Sequence, residues 1–145
     1  MNSFVNELNK FLKINSFYNL KNNLNIISLI NIDYHKYLTN STGYQKKLLY
    51  ENDIYDVYLI IWYPNCVTKI HNHADNGCYM KLLSGRLTEY IYESNNLNIT
   101  KINDINKNDF TYIDNKIGCH KILNSDQIST SIHIYSPPRY QTKYF

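Results

Sequence analysis

Residues 70–85 read Ile-His-Asn-His-Ala-Asp-Asn-Gly-Cys-Tyr-Met-Lys-Leu-Leu-Ser-Gly. His71 and His73 stand two apart, so on an extended strand both side chains leave the same face. A sheet offers two ligands to one metal ion in this way, but two unrelated surface or cavity histidines would show the same spacing. Cys78 follows His73 after four intervening residues and Gly85 follows Cys78 after six, giving H-x-H-x(4)-C-x(6)-G. Further on, Gly118-Cys119-His120 leads after three residues to Asn124, giving G-x-H-x(3)-N.

From residue 46 onward the chain is a series of short β-branched and aromatic runs separated by Asn, Asp, Gly and Pro, the texture of a meandering antiparallel sheet. Strands are expected over 47–51, 55–63, 67–73, 77–84, 87–93, 99–103, 110–113, 120–124 and 130–136. Upstream, Phe4, Val5, Leu8, Phe11 and Leu12 recur at steps of three and four, which predicts a helix over 3–14. The stretch 22–38 mixes helical and strand periods, and Tyr34, Tyr37 and Leu38 favour helix there. The expectation is one mainly β domain spanning 1–145. A helical segment (1–43) would pack outside a jelly-roll β-barrel (44–145), and there are no internal repeats.

The bulk numbers narrow the function. A chain of 145 residues suits one domain with one principal site. With 43% hydrophobic and 19% charged residues the composition is globular rather than disordered. Fifteen Lys and Arg against twelve Asp and Glu leave a net charge of +3 with no run of like charge, which speaks against nucleic acid as a partner. No long uncharged apolar stretch is present, and Glu7, Lys10 and Lys13 stand where a signal peptide would be apolar. A cytoplasmic protein with no membrane contact is expected. Cys66, Cys78 and Cys119 are odd in number and unpatterned, so no disulfide framework is expected. With 15 tyrosines, most must be core or surface fillers.

Each histidine motif resembles one of the two cupin motifs, which occupy two hairpin regions of a jelly-roll barrel and meet at a metal. The common pattern has Glu where Cys78 stands here. Without that Glu, three neutral imidazoles leave a divalent ion uncompensated, which favours an anionic substrate such as a thiolate. Octahedral iron would keep positions open for a sulfur, a second donor and dioxygen, whereas zinc usually settles for four ligands and has no one-electron chemistry. The third element is Ser131-Ile132-His133-Ile134-Tyr135-Ser136-Pro137-Pro138. Period-two alternation puts Ser131, His133 and Tyr135 on one face. Buried in a row, they read either as a hydrogen-bonded relay or as a satisfied internal network.

Together these segments, with Trp62, resemble cysteine dioxygenase over about two thirds of the chain, from Tyr44 to Tyr140. The resemblance implies a mononuclear non-haem Fe(II) enzyme that adds both atoms of O2 to the sulfur of L-cysteine, giving cysteine sulfinate. His71, His73 and His120 match the iron ligands. Tyr135, His133 and Ser131 match the catalytic relay, Cys78 matches the cysteine that forms a thioether with the tyrosine matching Tyr135, and Trp62 matches a packing residue. The partners implied are a small thiol and O2, and the family implies a monomer. Where relatives place a carboxylate-binding arginine, this chain reads Tyr44-Gln45-Lys46-Lys47. Tyr44 and Lys46 are the expected substrate-binding residues, with Lys47 and Arg139 as alternatives to Lys46. Lysine carries the charge without the planar two-point fork. Relatives continue past the position of Phe145, so another segment is expected to cover that side of the barrel. Two further readings stay open: a dioxygenase for another small thiol such as 3-mercaptopropionate, and a metal-binding cupin without catalysis.

Overall fold

The computed structural model describes residues 1–145 and divides into two units, Met1–Leu38 and Thr39–Phe145. The first contains helix α1 (Asn2–Leu12), whose buried residues Phe4 and Leu8 are four apart as the sequence spacing requires. The single helix expected over 22–38 does not form. A 3-10 turn (Phe17–Asn22) leads up to this stretch, and the short helix α2 (Leu24–Ser28) and a second 3-10 turn (Tyr34–Tyr37) take the helix's place. Local polar side chains set the new starts. Asn23 Oδ1 accepts from the Ile26 amide at 3.3 Å, and Asp33 Oδ1 accepts from the His35 amide at 3.2 Å. Such bonds compete with a continuous helix and favour short capped turns.

The second unit is β throughout, and it takes in residues 39–43, which hold to it through Thr39 and Gly43. The Tyr63 hydroxyl lies 3.0 Å from Thr39 Oγ1, and the Tyr63 amide donates to the Gly43 carbonyl at 2.9 Å. Eight strands follow: β1 (Tyr44–Glu51), β2 (Asp56–Trp62), β3 (Cys78–Ser84), β4 (Arg86–Tyr92), β5 (Ile99–Asn106), β6 (Phe110–Ile113), β7 (Cys119–Asn124) and β8 (Ser129–Tyr135). They form two antiparallel sheets, ordered β1-β2-β8-β3-β6 and β5-β4-β7. Hydrogen bonding does not close them into one ring, so the expected barrel is a two-sheet jelly roll. Ile60, Trp62, Met80 and Leu82 from the larger sheet pack with Leu87, Ile105 and Ile122 from the smaller, so the inner faces meet in one core. No helix is long and apolar enough to cross a membrane.

Residues 67–73 do not make the expected strand. Pro64 has no amide to donate and Asn65 takes a φ of 61°, which breaks pairing as the chain leaves β2. The segment then runs extended beside β7 with intermittent bonds: Thr68 N to Ile122 O at 3.0 Å, and a reciprocal pair between His71 and His120 at 2.9 and 3.1 Å. Its other side is bridged by Tyr144. Two motif glycines have steric reasons. At Gly85 (φ +84°) an added Cβ would lie 2.0 Å from Ser129 Oγ, and at Gly118 (φ +146°) one would lie 2.3 Å from the Tyr92 carbonyl.

Candidate metal centre

Antiparallel register brings distant polar residues to one end of the core. The reciprocal main-chain pair between His71 and His120 sets their side chains together, and His73, two residues on, joins them. Candidate ligand atoms of the three lie within 4.8 Å of one another. His71 Nδ1 is 2.7 Å from the Lys69 carbonyl, and His120 Nδ1 is 2.7 Å from Glu89 Oε2. Both contacts are to acceptors, so each Nδ1 carries a proton and each Nε2 is turned towards the space between the rings. The two Nε2 atoms are 3.1 Å apart. Neither ring nitrogen of the buried His73 makes a hydrogen bond of normal geometry, although the Gly118 main chain gives it some electrostatic support.

Two Nε2 atoms turned on each other beside an orphaned buried imidazole are well satisfied by a cation among them. The residues present therefore fit a divalent metal. Burial, with repulsion from His120, pushes His71 down to about 4 and His73 well below its usual value, so both are neutral and ready to ligate near neutral pH.

Opposite the histidines lies the inward face of β8. The Trp62 indole N–H donates to Ser131 Oγ at 2.8 Å, Ser131 Oγ is 2.8 Å from His133 Nε2, and His133 Nδ1 is 3.4 Å from the Tyr135 hydroxyl. The indole is a donor only, so the serine accepts from it and has its own proton free for His133 Nε2. Nδ1 then faces the Tyr135 oxygen, and the Tyr135 hydroxyl also hydrogen-bonds the Cys78 thiol at the cavity wall. Burial holds His133 well below its usual pKa and Tyr135 well above its own, so both are neutral. Cys78 is paired with Tyr135 across β3 and β8, and its Sγ is 3.9 Å from His133 Nδ1. Burial pushes its thiol pKa up, which keeps it protonated.

The cavity between these groups measures about 70 Å³. Lys46 is the only lysine or arginine lining it, with Nζ 4.5 Å from the ring centre of Tyr58 and 4.8 Å from that of Tyr135. As a residue Lys46 is accessible, yet partial burial of its ammonium lowers its pKa. Tyr44, on the same face of β1, lies against Trp62 at 5.3 Å. Lys47 points to the other face, and Arg139 is drawn away by Glu51, its Nη1 being 2.7 Å from Oε1. Neither alternative lines the cavity.

Three contributions escaped the sequence reading. Glu89 stands behind His120, so the site does not lack a carboxylate. Trp62, expected only to pack, anchors the β8 array through its indole. Residues 140–145 supply the outer wall: Tyr140, Thr142 and Tyr144 line the cavity, and Asn72 N to Lys143 O and Phe145 N to Ile70 O, both 3.0 Å, tie this segment beside His71. Cys66 and Cys119 take no part in the cavity, and the exposed His35 lies by Asp33.

A family model described as cysteine dioxygenase type I matches residues 25–145. Cysteine dioxygenase type 1 of Rattus norvegicus is 30% identical over 94 residues, covering 60% of this chain and 47% of the relative. That of Danio rerio is 27% identical over 104 residues, covering 66% and 52%. The chain thus spans about half the length of the curated relatives it matches. Among solved structures, a double-stranded β-helix protein of Klebsiella pneumoniae superposes with a TM-score of 0.63 at 13% identity, covering 81% of this chain and 93% of the other. An oxalate decarboxylase of Lactobacillus farciminis gives 0.60 at 16%, covering 74% and 33%. These two likenesses concern the fold.

Proposed function

The chain belongs to the cysteine dioxygenase type I family, and from that premise we propose that it is a thiol dioxygenase which converts L-cysteine to cysteine sulfinate at a mononuclear non-haem Fe(II) centre held by His71, His73 and His120. The observation that carries this reading is the convergence of the Nε2 atoms of His71 and His120, with His73 orphaned beside them, opposite the Ser131-His133-Tyr135 array. When bound, Fe(II) would supply the Lewis acidity that holds a thiolate and the one-electron chemistry that engages O2. Both oxygen atoms end on sulfur, so the thiol becomes a sulfinic acid and no separate reductant is needed.

The protein's own groups have separate tasks in this reading. His71 and His73, neutral before metal arrives, bind without first losing protons. Tyr135 brings its hydroxyl to the cavity, where it hydrogen-bonds the reacting oxygen or sulfur, and His133 and Ser131 hold it there. Met80, Ile60 and Ile113 help keep the cavity dry, and its small volume restricts substrates to small thiols. Lys46 meets the substrate carboxylate, with Tyr44 beside it. Cys78 pairs in register with Tyr135, which supports the thioether between them that the family resemblance implies. We further propose that the protein acts as a cytoplasmic monomer.

A second reading is favoured by Lys46 itself. A single ammonium recognises a carboxylate without the two-point fork of arginine, so it discriminates less by shape, and 3-mercaptopropionate fits the same chemistry. Steady-state oxidation of the two thiols by the iron-loaded protein separates the cases. Cysteine is expected to show the higher kcat/KM; a higher value for 3-mercaptopropionate would reassign the substrate. A metal-binding cupin without catalysis would oxidise neither.

A further inference from the structure

Glu89 is the one carboxylate lining the metal cavity. It lies on β4 between Leu87 and Ile91 on the inward face and is 4% exposed. A charged side chain is rarely buried so completely without partners that require it. Its Oε2 is 2.7 Å from His120 Nδ1, and its Oε1 accepts from Asn103 Nδ2 at 3.0 Å. A carboxylate has only lone pairs to offer, so His120 must carry its proton on Nδ1 and present Nε2 towards His71. Glu89 also borders a second cleft, which opens between β5 and β6 beside Lys101 and Asp109. Glu89 and Thr111 border both spaces and so form the wall between them.

We propose that Glu89 is a positioning residue for the metal. It locks the tautomer and ring orientation of His120, and it supplies one negative charge just outside three neutral ligands. Asn103, reaching across from β5, fixes the carboxylate in turn. The effect on the ion is electrostatic: an anion hydrogen-bonded to the far nitrogen of a ligand makes that ligand more basic and offsets part of the ion's charge. The thiolate would then meet a centre already partly neutralised, which moderates how tightly a small anion is held. This proposal rests on the reading of the histidine cluster as a metal centre.

Glu89→Gln keeps the shape and removes the charge. Its amide nitrogen must face either the His120 N–H or the Asn103 amide nitrogen, both donors, so one contact is lost unless Asn103 flips. With Co(II) as a spectroscopic probe, the variant is expected to bind roughly 10- to 100-fold more weakly than the parent. Its bound Co(II) should show a shifted absorption spectrum, and the iron-loaded form a raised reduction potential. The metal-free variant should keep a thermal midpoint close to the parent's. Asn103→Leu, which leaves Glu89 in place but loosens it, should weaken Co(II) binding in the same direction by less, and it serves if the glutamine variant fails to fold. Unchanged affinity, spectrum and potential in Glu89→Gln, or unchanged Co(II) affinity in Asn103→Leu where that variant stands in, would overturn the proposal. A parent protein that takes up no Co(II) would overturn the metal-centre reading as well, which is a separate and recognisable result.

Discussion

Tyr135 owes its proposed role to a directional chain of hydrogen bonds. Trp62 can only donate, which leaves the Ser131 proton free for His133 Nε2 and sets His133 Nδ1 beside the Tyr135 hydroxyl, which also reaches Cys78. Tyr135→Phe removes that hydroxyl and leaves the three histidines untouched. It is expected to retain iron at parent stoichiometry and to lose on the order of 10²-fold in turnover; iron content and sulfinate formation measured together check this, and full turnover would count against the role. Trp62→Phe leaves Ser131 without its donor in a buried site, at a cost of about 1–3 kcal/mol read from urea unfolding. Cys78→Ser should abolish any faster-migrating band on a denaturing gel, since a thioether needs the sulfur. The Ser131, His133 and Tyr135 row was legible because period-two alternation is a local property. The role of Trp62 was not, since its partner lies 69 residues away in sequence and meets it only through the β2–β8 register. Glu89 left a readable trace: a charged residue alternating with Leu87 and Ile91 is out of place on a core-facing row unless something there needs it.

At the level of elements, the motif glycines set the approach of strands that carry ligands. Gly118 lies two residues before His120, and a Cβ there would stand 2.3 Å from the Tyr92 carbonyl at a φ that side chains rarely adopt. Gly118→Ala must therefore push the start of β7 away from β4. The expected result is weaker Co(II) uptake together with a stability loss of roughly 1–3 kcal/mol, followed by titration and thermal unfolding. Binding and stability both at parent levels would show that β7 adjusts freely. Most β elements were legible from alternating runs and turn residues, but 67–73 was not. Its apolar and histidine pattern suits a strand, and what denies it regular pairing is the break at Pro64 and Asn65 together with partners on two sides, β7 and Tyr144. The continuous helix over 22–38 failed for a related reason: capping by Asn23 and Asp33 is local, yet it outweighs a weak and mixed periodicity. The wall formed by 140–145 depends on long-range pairing with 70–72 and carries no pattern of its own.

For the whole molecule, burying several neutral imidazoles links stability to pH. Burial, helped by His120, takes His71 from the ordinary 6.5 down to about 4. Between those values the unfolded chain binds a proton that the folded chain refuses, so stability falls as pH drops through that window. His73 and His133 are depressed in the same sense, mainly by burial. Glu89 extends the loss below its ordinary 4.5: burial alone would raise it, but the hydrogen bond from His120 holds it lower. The metal-free protein should thus unfold at lower urea concentration at pH 5 than at pH 7; identical midpoints would mean these histidines are not buried neutral. Metal bound only by the folded state should raise the midpoint at either pH. The central claim is that this small two-sheet fold adds both atoms of O2 to a thiol sulfur. Its most direct test is oxidation of cysteine by the iron-loaded protein under isotopically labelled O2, with mass analysis of the product. Sulfinate carrying label in both oxygens is predicted, whereas iron retained at full stoichiometry with no thiol-dependent uptake of O2 would contradict the account.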